Sequence, residues 1–92
     1  MDKTKEYRKI ERIIKGFANH WRIRIIELLK ESPELSVAEI SECLKTEFKN
    51  ISAHITKLAI AGIVIKRYQG KEVRHKLTSR GENILKFVRM LE

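Results

Sequence analysis

"KNISAHITKLAIAGIV", Lys49 to Val64, is the stretch whose reading decides the fold. Stepped at about 100° per residue, Phe48, Ile51, Ile55, Leu58 and Ala59 fall within one arc, the apolar stripe of an amphipathic helix. Lys49, Ala53, Thr56, Lys57 and Ile60 fall on the far side, flanked by Asn50 and Ser52. Ile60 apart, that second face is small, polar and cationic. Gly62 follows where a helix closes with a left-handed residue.

Working toward the N-terminus, "ELSVAEISECL" (34–44) contains Ser36-Val37-Ala38-Glu39, the S-x-x-E form of a capping box. It predicts a short helix with Val37, Ile40 and Leu44 turned inward, joined to the first by a tight connection. Further back, Tyr7, Ile10, Ile13, Ile14 and Phe17 recur at helical spacing, a first helix ending near Gly16. Asn19 is suited to cap a second helix, whose Ile23, Ile25, Ile26, Leu28 and Leu29 make it apolar on most sides and central. Trp21 is expected between the first two helices or at a dimer seam. Pro33, within "ESPEL", separates the second helix from the third.

Toward the C-terminus, the β-rich runs Ile63–Gln69 and Val73–Leu77 flank Gly70, a hairpin with a basic tip. Ser79-Arg80-Gly81-Glu82 reads as a second capping box, opening a last helix with Ile84, Phe87, Val88 and Leu91 in one stripe. The order is helix, helix, short helix, turn, helix, hairpin, helix. It is mainly α with a small β-hairpin: a winged helix-turn-helix filling residues 1–92 as one domain.

Composition restricts what such a domain does. The chain has 92 residues and a net charge of +8, with 42% hydrophobic and 35% charged residues, as in a small folded helical domain rather than a disordered tail. The charges are segregated. Lys66, Arg67, Lys71, Arg74, Lys76 and Arg80 face only Glu72 within 66–80, whereas Glu31, Glu34, Glu39, Glu42 and Glu47 face only Lys45 within 31–47. Segregation of this kind favours a directed electrostatic face. With Cys43 the single cysteine, no intrachain disulfide forms, and Cys43 itself reads as a small core residue. No apolar run approaches the roughly 18 residues of a membrane span, and "MDKTKEYRKIERI" lacks the apolar centre of a signal peptide. The expectation is a cytoplasmic protein. The one aspartate is Asp2, and neither a phosphate-cradling glycine motif nor a nucleophile elbow is present. Nothing supports an enzyme.

A recognition helix needs an apolar back to hold it on the domain and a front of small, polar residues, so that its backbone enters a major groove about 12 Å wide. Lys49, Asn50, Ser52, Ala53, Thr56 and Lys57 supply that front. Lys49 reaches for phosphate or guanine, and Asn50 pairs with adenine or holds a phosphate. Arg67, Lys71 and Arg74, around Gly70, form a wing aimed at the flanking backbone or minor groove. The expected partner is double-stranded DNA. Aromatic residues for stacking on single-stranded RNA are missing from these faces.

These same segments resemble the ArsR-type winged-helix repressors. "FANHWRIRIIELLKE" (17–31) is similar to that family's L-A-[DN]-P-x-R-[LI]-x-I-[LI]-x-L-L signature, with Ala18, Asn19, Arg22, Ile23, Ile25, Ile26, Leu28 and Leu29 matching and His20 in place of Pro. "ISAHITKLAIAGIV" (51–64) resembles V-S-x-H-L-x-x-L-x-x-A-G-L-V, and "GKEVRHKL" (70–77) resembles the family's wing. The resemblance runs without a gap from Phe17 to Leu77. It implies a homodimer built from a terminal helix at each end, approximately 4–16 and 79–91. Tyr7, Ile10, Ile14 and Phe17 would pack there with Ile84, Phe87, Val88 and Leu91. Metal sensing is not implied: Ser36 and Ala38 stand where the family carries thiolates, and residues 79–92 contain no Asp, His or Cys. No cofactor is expected, and His20, His54 and His75 read as packed or phosphate-contacting. An effector, if there is one, is a small molecule or a protein. The alternative is a winged helix serving as a protein-interaction module of the transcription or replication machinery.

Overall fold

Ile25, Ile26 and Leu29 are buried along the second helix, and the rest of the chain is arranged around them. The structure, a computed structural model, describes residues 2–92. The elements are α1 (Thr4–Phe17), α2 (His20–Glu31), α3 (Val37–Leu44), α4 (Phe48–Ile60), β1 (Val64–Gln69), β2 (Glu72–Leu77) and α5 (Ser79–Met90). This is the order read from the sequence.

The helix boundaries follow from their caps. Asn19 accepts from the backbone N–H groups of Trp21 and Arg22, which starts α2. Ser36 and Glu39 form the expected reciprocal box at α3. Behind α4, Gly62 adopts φ +72. Its N–H donates to the Ala59 carbonyl, and the Ile63 N–H donates to that of Leu58. That paired arrangement turns the chain sharply into β1. At α5 the cap lies one residue earlier than the sequence reading: the Thr78 hydroxyl, not Ser79, accepts from Gly81 N–H. The same hydroxyl donates to the Gly62 carbonyl at 2.6 Å. Tertiary pairing with the end of α4 therefore selects Thr78 over its neighbour.

β1 and β2 pair antiparallel from Val64↔Leu77 to Gln69↔Glu72. Gly70, at φ +63, takes the first central position of the two-residue turn. The chain before α3 adds a short third pairing. His75 N–H donates to the Leu35 carbonyl, and Glu34 N–H donates to the His75 carbonyl. The wing is thereby sewn to the helix-turn-helix rather than left projecting.

The core joins Ile25, Ile26 and Leu29 to Ile40, Ile51, Ile55, Leu58, Ile63, Val64, Leu77, Ile84 and Leu85. Two expectations are corrected here. Phe48, placed on the packing arc of α4, is exposed because it is the first helical residue and lies beyond the core. Cys43 is exposed, since Ile40 and Ser41 are the residues of α3 that turn inward. Trp21 is half-buried against the core. It lines a shallow depression with Ser41, Thr46 and Asn50 at the α3–α4 turn, and the Arg24 guanidinium lies 4.4 Å from its ring centroid.

Candidate nucleic-acid interface

The apolar side of α4 is anchored by Ile51, Ile55 and Leu58, all buried. Its opposite side is thereby fixed toward solvent, with Lys49, Ala53, Thr56 and Lys57 exposed and Asn50 and Ser52 half-buried. The Asn50 side-chain amide donates to the Thr46 hydroxyl at 3.1 Å, across the turn that precedes the helix. The Thr56 hydroxyl donates back to the Ser52 carbonyl at 3.0 Å. Glu47 holds the N-cap position without a side-chain capping bond. The Asn50 and Ile51 N–H groups already donate to the Glu47 carbonyl.

A buried guanidinium sets the position of this helix. Arg22 is 9% exposed. Its Nη1 donates to the carbonyls of Lys15 (3.0 Å) and Gly16 (3.3 Å), and its Nε donates to His54 Nδ1 at 3.1 Å. The two carbonyls belong to the last turn of α1, the negative end of its dipole. The cation thus ties the end of α1 to the middle of α4. His54 must be unprotonated at Nδ1 to accept this bond. Burial, and then the charges of Arg22, Lys57 and His20, hold its pKa below the ordinary histidine value.

In the wing, the register separates the cations. Lys66 pairs with His75 and Tyr68 with Val73, on one face; Arg67 pairs with Arg74 on the other. The first face looks toward α4. A cleft between the two is lined by Ser52 and Thr56 from α4 and by Lys66, Lys71 and Val73 from the hairpin. Arg67 and Arg74 instead converge on Glu34. Arg67 lies 3.2 Å from its carboxylate, while Arg74 donates to its backbone carbonyl at 2.9 Å and also pairs with Glu72. Of the three wing cations singled out in the sequence, only Lys71 makes no ion pair among the described residues. Lys66 was missed. Its signal was present in strand alternation, but only the register shows which alternate residues face α4.

His75 is 1% exposed beneath the cleft. Its Nδ1 donates to the Leu35 carbonyl at 2.8 Å, and its Nε2 is buried without a partner among the described residues. Burial is the main influence lowering its pKa. His54 and His75 are thus packed, while His20 is exposed. Among the described residues no cluster of His, Cys, Asp or Glu is arranged to hold a metal ion, and no helix is long and apolar enough to cross a membrane.

Comparison with known proteins bears on this arrangement. The sequence profile of bacterial regulatory proteins of the arsR family matches residues 20–66, from the start of α2 into β1. The arsenical resistance operon repressor of Escherichia coli K12 is 33% identical over 66 residues, covering 72% of this chain and 56% of that protein. An ArsR protein of Halobacterium salinarum is 34% identical over 74 residues, covering 79% and 57%. The chain therefore spans little more than half the length of these relatives. Among solved structures, HlyU of Vibrio cholerae is 27% identical, with 99% of this chain and 97% of that one covered and a TM-score of 0.80. A homodimeric winged helix-turn-helix DNA-binding domain of Mycobacterium bovis superposes with a TM-score of 0.87 over 97% of this chain and 82% of its own. Its identity is 22%, a likeness of fold alone.

Proposed function

The chain belongs to the arsR family of bacterial regulatory proteins, and from that premise we propose that it is a homodimeric, sequence-specific DNA-binding transcriptional regulator that acts as a repressor. The observation that carries this reading is the exposed front of α4, small and cationic, lying beside the wing face that bears Lys66 and Lys71. The front of α4 enters the major groove, with Lys49, Asn50, Ser52 and Thr56 within reach of base edges and Lys57 on phosphate. The methyl group of Ala53 lets the helix approach closely. Lys71 and Lys66 meet the flanking backbone. Arg67 and Arg74, engaged with Glu34, hold the wing in place and add positive potential.

Homodimerisation is supported by what the protomer leaves uncovered. Tyr7, Ile10, Ile14, Phe87 and Leu91 are each about half exposed or more, and Phe17 and Val88 are half-buried beside them in the sequence stripes. Met90 joins this exposed set, whereas Ile84 is already taken into the protomer core. A two-fold dimer through α1 and α5 sets two recognition helices about 34 Å apart, one turn of duplex. The operator is then an imperfect palindrome, and repression follows from occluding polymerase.

Selection from random duplex DNA at about 150 mM salt, where phosphate attraction alone is weak, tests the proposal. Enrichment of a palindrome with half-sites one helical turn apart is the expected result. Recovery of unenriched, purely salt-sensitive binders would overturn sequence-specific reading.

A further inference from the structure

A second basic feature lies away from the recognition front. Lys5, Lys9 and Arg12 of α1, Lys57 of α4 and Arg80 of α5 surround a cleft of about 710 Å³. Its apolar lining is the half-buried Ile13 and Ala61 at the floor, with the exposed Ile60 at the edge. The floor exists because α1 and the end of α4 touch closely: a Cβ on Gly16 would lie 2.6 Å from that of Ala61. Ile60, the residue that broke the polar front of α4 in the sequence, is 82% exposed here.

Three properties make this a site rather than a charged surface. No carboxylate lines the cleft among the described residues; of its cations, Lys15 pairs with Glu11 and Arg22 and Arg80 donate to backbone carbonyls, whereas Lys5, Lys9, Arg12 and Lys57 make no ion pair among the described residues. The cations repel one another across a concave wall, and a single sign of charge in a cleft concentrates potential for an anion. The volume falls in the range of small-molecule sites, which combine an apolar floor with a few charged groups. Finally, Lys5, Lys9 and Arg12 lie on the opposite side of α1 from Tyr7, Ile10 and Ile14. Dimerisation through the apolar seam therefore leaves the cleft open.

We propose that this cleft binds an amphipathic organic anion, a carboxylate or phosphate carried on an apolar body, as an effector of DNA binding. The anionic head sits among Lys9, Arg12 and Lys57, and the apolar body covers Ile60 and Ile13. The regulatory half of the proposal rests on the DNA-binding reading above. Lys57 belongs to both surfaces, so an occupant neutralises a cation that α4 offers to phosphate. An occupant also bridges α1 and α4, the two helices already joined through Arg22.

Decanoate serves as the probe, with inorganic phosphate as the head-only control, and binding is followed by calorimetry on the full chain without DNA. Saturable binding of decanoate is expected, with phosphate binding much more weakly. The double variant Lys9→Glu, Arg12→Glu and the single variant Ile60→Ser should each weaken it at least tenfold. Neither variant touches a side chain assigned to DNA reading, and circular dichroism verifies that both fold. Equal binding by decanoate and phosphate overturns the role of the apolar floor. Decanoate binding that survives both variants places the ligand elsewhere, on the dimer seam for example, and overturns the site. Loss of DNA affinity in Lys9→Glu, Arg12→Glu with no saturable decanoate binding in the wild type assigns the cleft to flanking phosphate instead. Because ligand binding is read without DNA, failure of the recognition reading leaves this outcome legible. Decanoate at saturation should then lower operator affinity severalfold; unchanged affinity would remove the effector role.

Discussion

Arg22 is where three parts of the molecule meet, and its environment carries two predictions. It is a buried cation with no carboxylate partner among the described residues. Its charge is met by two carbonyls at the C-terminal end of α1 and by one imidazole nitrogen on α4. Truncation leaves those carbonyls and His54 Nδ1 unpartnered in a partly buried place, a loss on the order of 2 kcal/mol. Arg22→Ala should therefore melt roughly 10 °C lower in thermal unfolding; an unchanged midpoint would show the junction to be dispensable. The second prediction concerns acid. His54 and His75 both have folded-state pKa values held below the ordinary one, chiefly by burial. In the unfolded chain they titrate near 6.5, so below that pH the unfolded state binds more protons. The stability they contribute is present above about pH 6.5 and lost as pH falls through their folded-state values. Urea midpoints measured from pH 8 to pH 5 should fall, and less steeply in His54→Gln than in the wild type. A pH-independent midpoint in the wild type would contradict the neutral state on which the Arg22–His54 bond depends.

For the hairpin, the question is which of its faces works. Side chains alternate between faces, and the pairing of Lys66 with His75 puts Lys66 toward α4, while Arg67 and Arg74 share the face tied to Glu34. Reversing Lys66 and Lys71 to Glu should then weaken operator binding more than tenfold and flatten its salt dependence. Arg67→Glu should have a smaller effect on affinity, and Arg74→Ala should act mainly by loosening the wing. Gel-shift titrations at several salt concentrations separate these cases, and an Arg67→Glu effect as large as that of the double variant would reverse the assignment. The same element shows how far the sequence carries. Hydrophobic period, the Ser36–Glu39 box, Asn19, Gly62 and Gly70 are local signals, and each places an element where it is found. What local signals lack is the partner. Thr78 displaces Ser79 as the cap because its hydroxyl also meets the Gly62 carbonyl. The exposed positions of Phe48 and Cys43 depend on where the neighbouring helices end. The pairing of Arg67 and Arg74 with Glu34 needs Leu35 beside β2, a contact between segments 40 residues apart. The α4 front was legible because one helix contains it whole, whereas the α1–α4 cleft, assembled from four helices, was not.

For the whole molecule, the uncovered seam and the charge distribution bear on one experiment. A chain of 92 residues buries a modest fraction of its surface, yet leaves Tyr7, Ile10, Ile14, Phe87, Met90 and Leu91 exposed on its two terminal helices. In the proposed dimer, association through these residues would stabilise the fold by mass action, so the unfolding temperature should rise with protein concentration. The variant Ile10→Glu, Phe87→Glu should sediment as a monomer. It should keep its helix content, because neither residue belongs to the core around Ile25, Ile55 and Leu58. The consequence for DNA is quantitative. If each protomer neutralises about three to four phosphates, log K against log salt has a slope near −6 for the dimer and near −3 for a monomer on a half-site. Loss of the second half-site should also reduce operator affinity by well over a hundredfold, since the two recognition helices no longer act on one duplex together. A monomeric wild type with the shallow slope would remove the palindrome from the proposal. A monomeric variant that retained the steep slope would mean that one protomer alone supplies all the phosphate contacts. The basic cleft between α1 and α4 would then have to lie on the DNA.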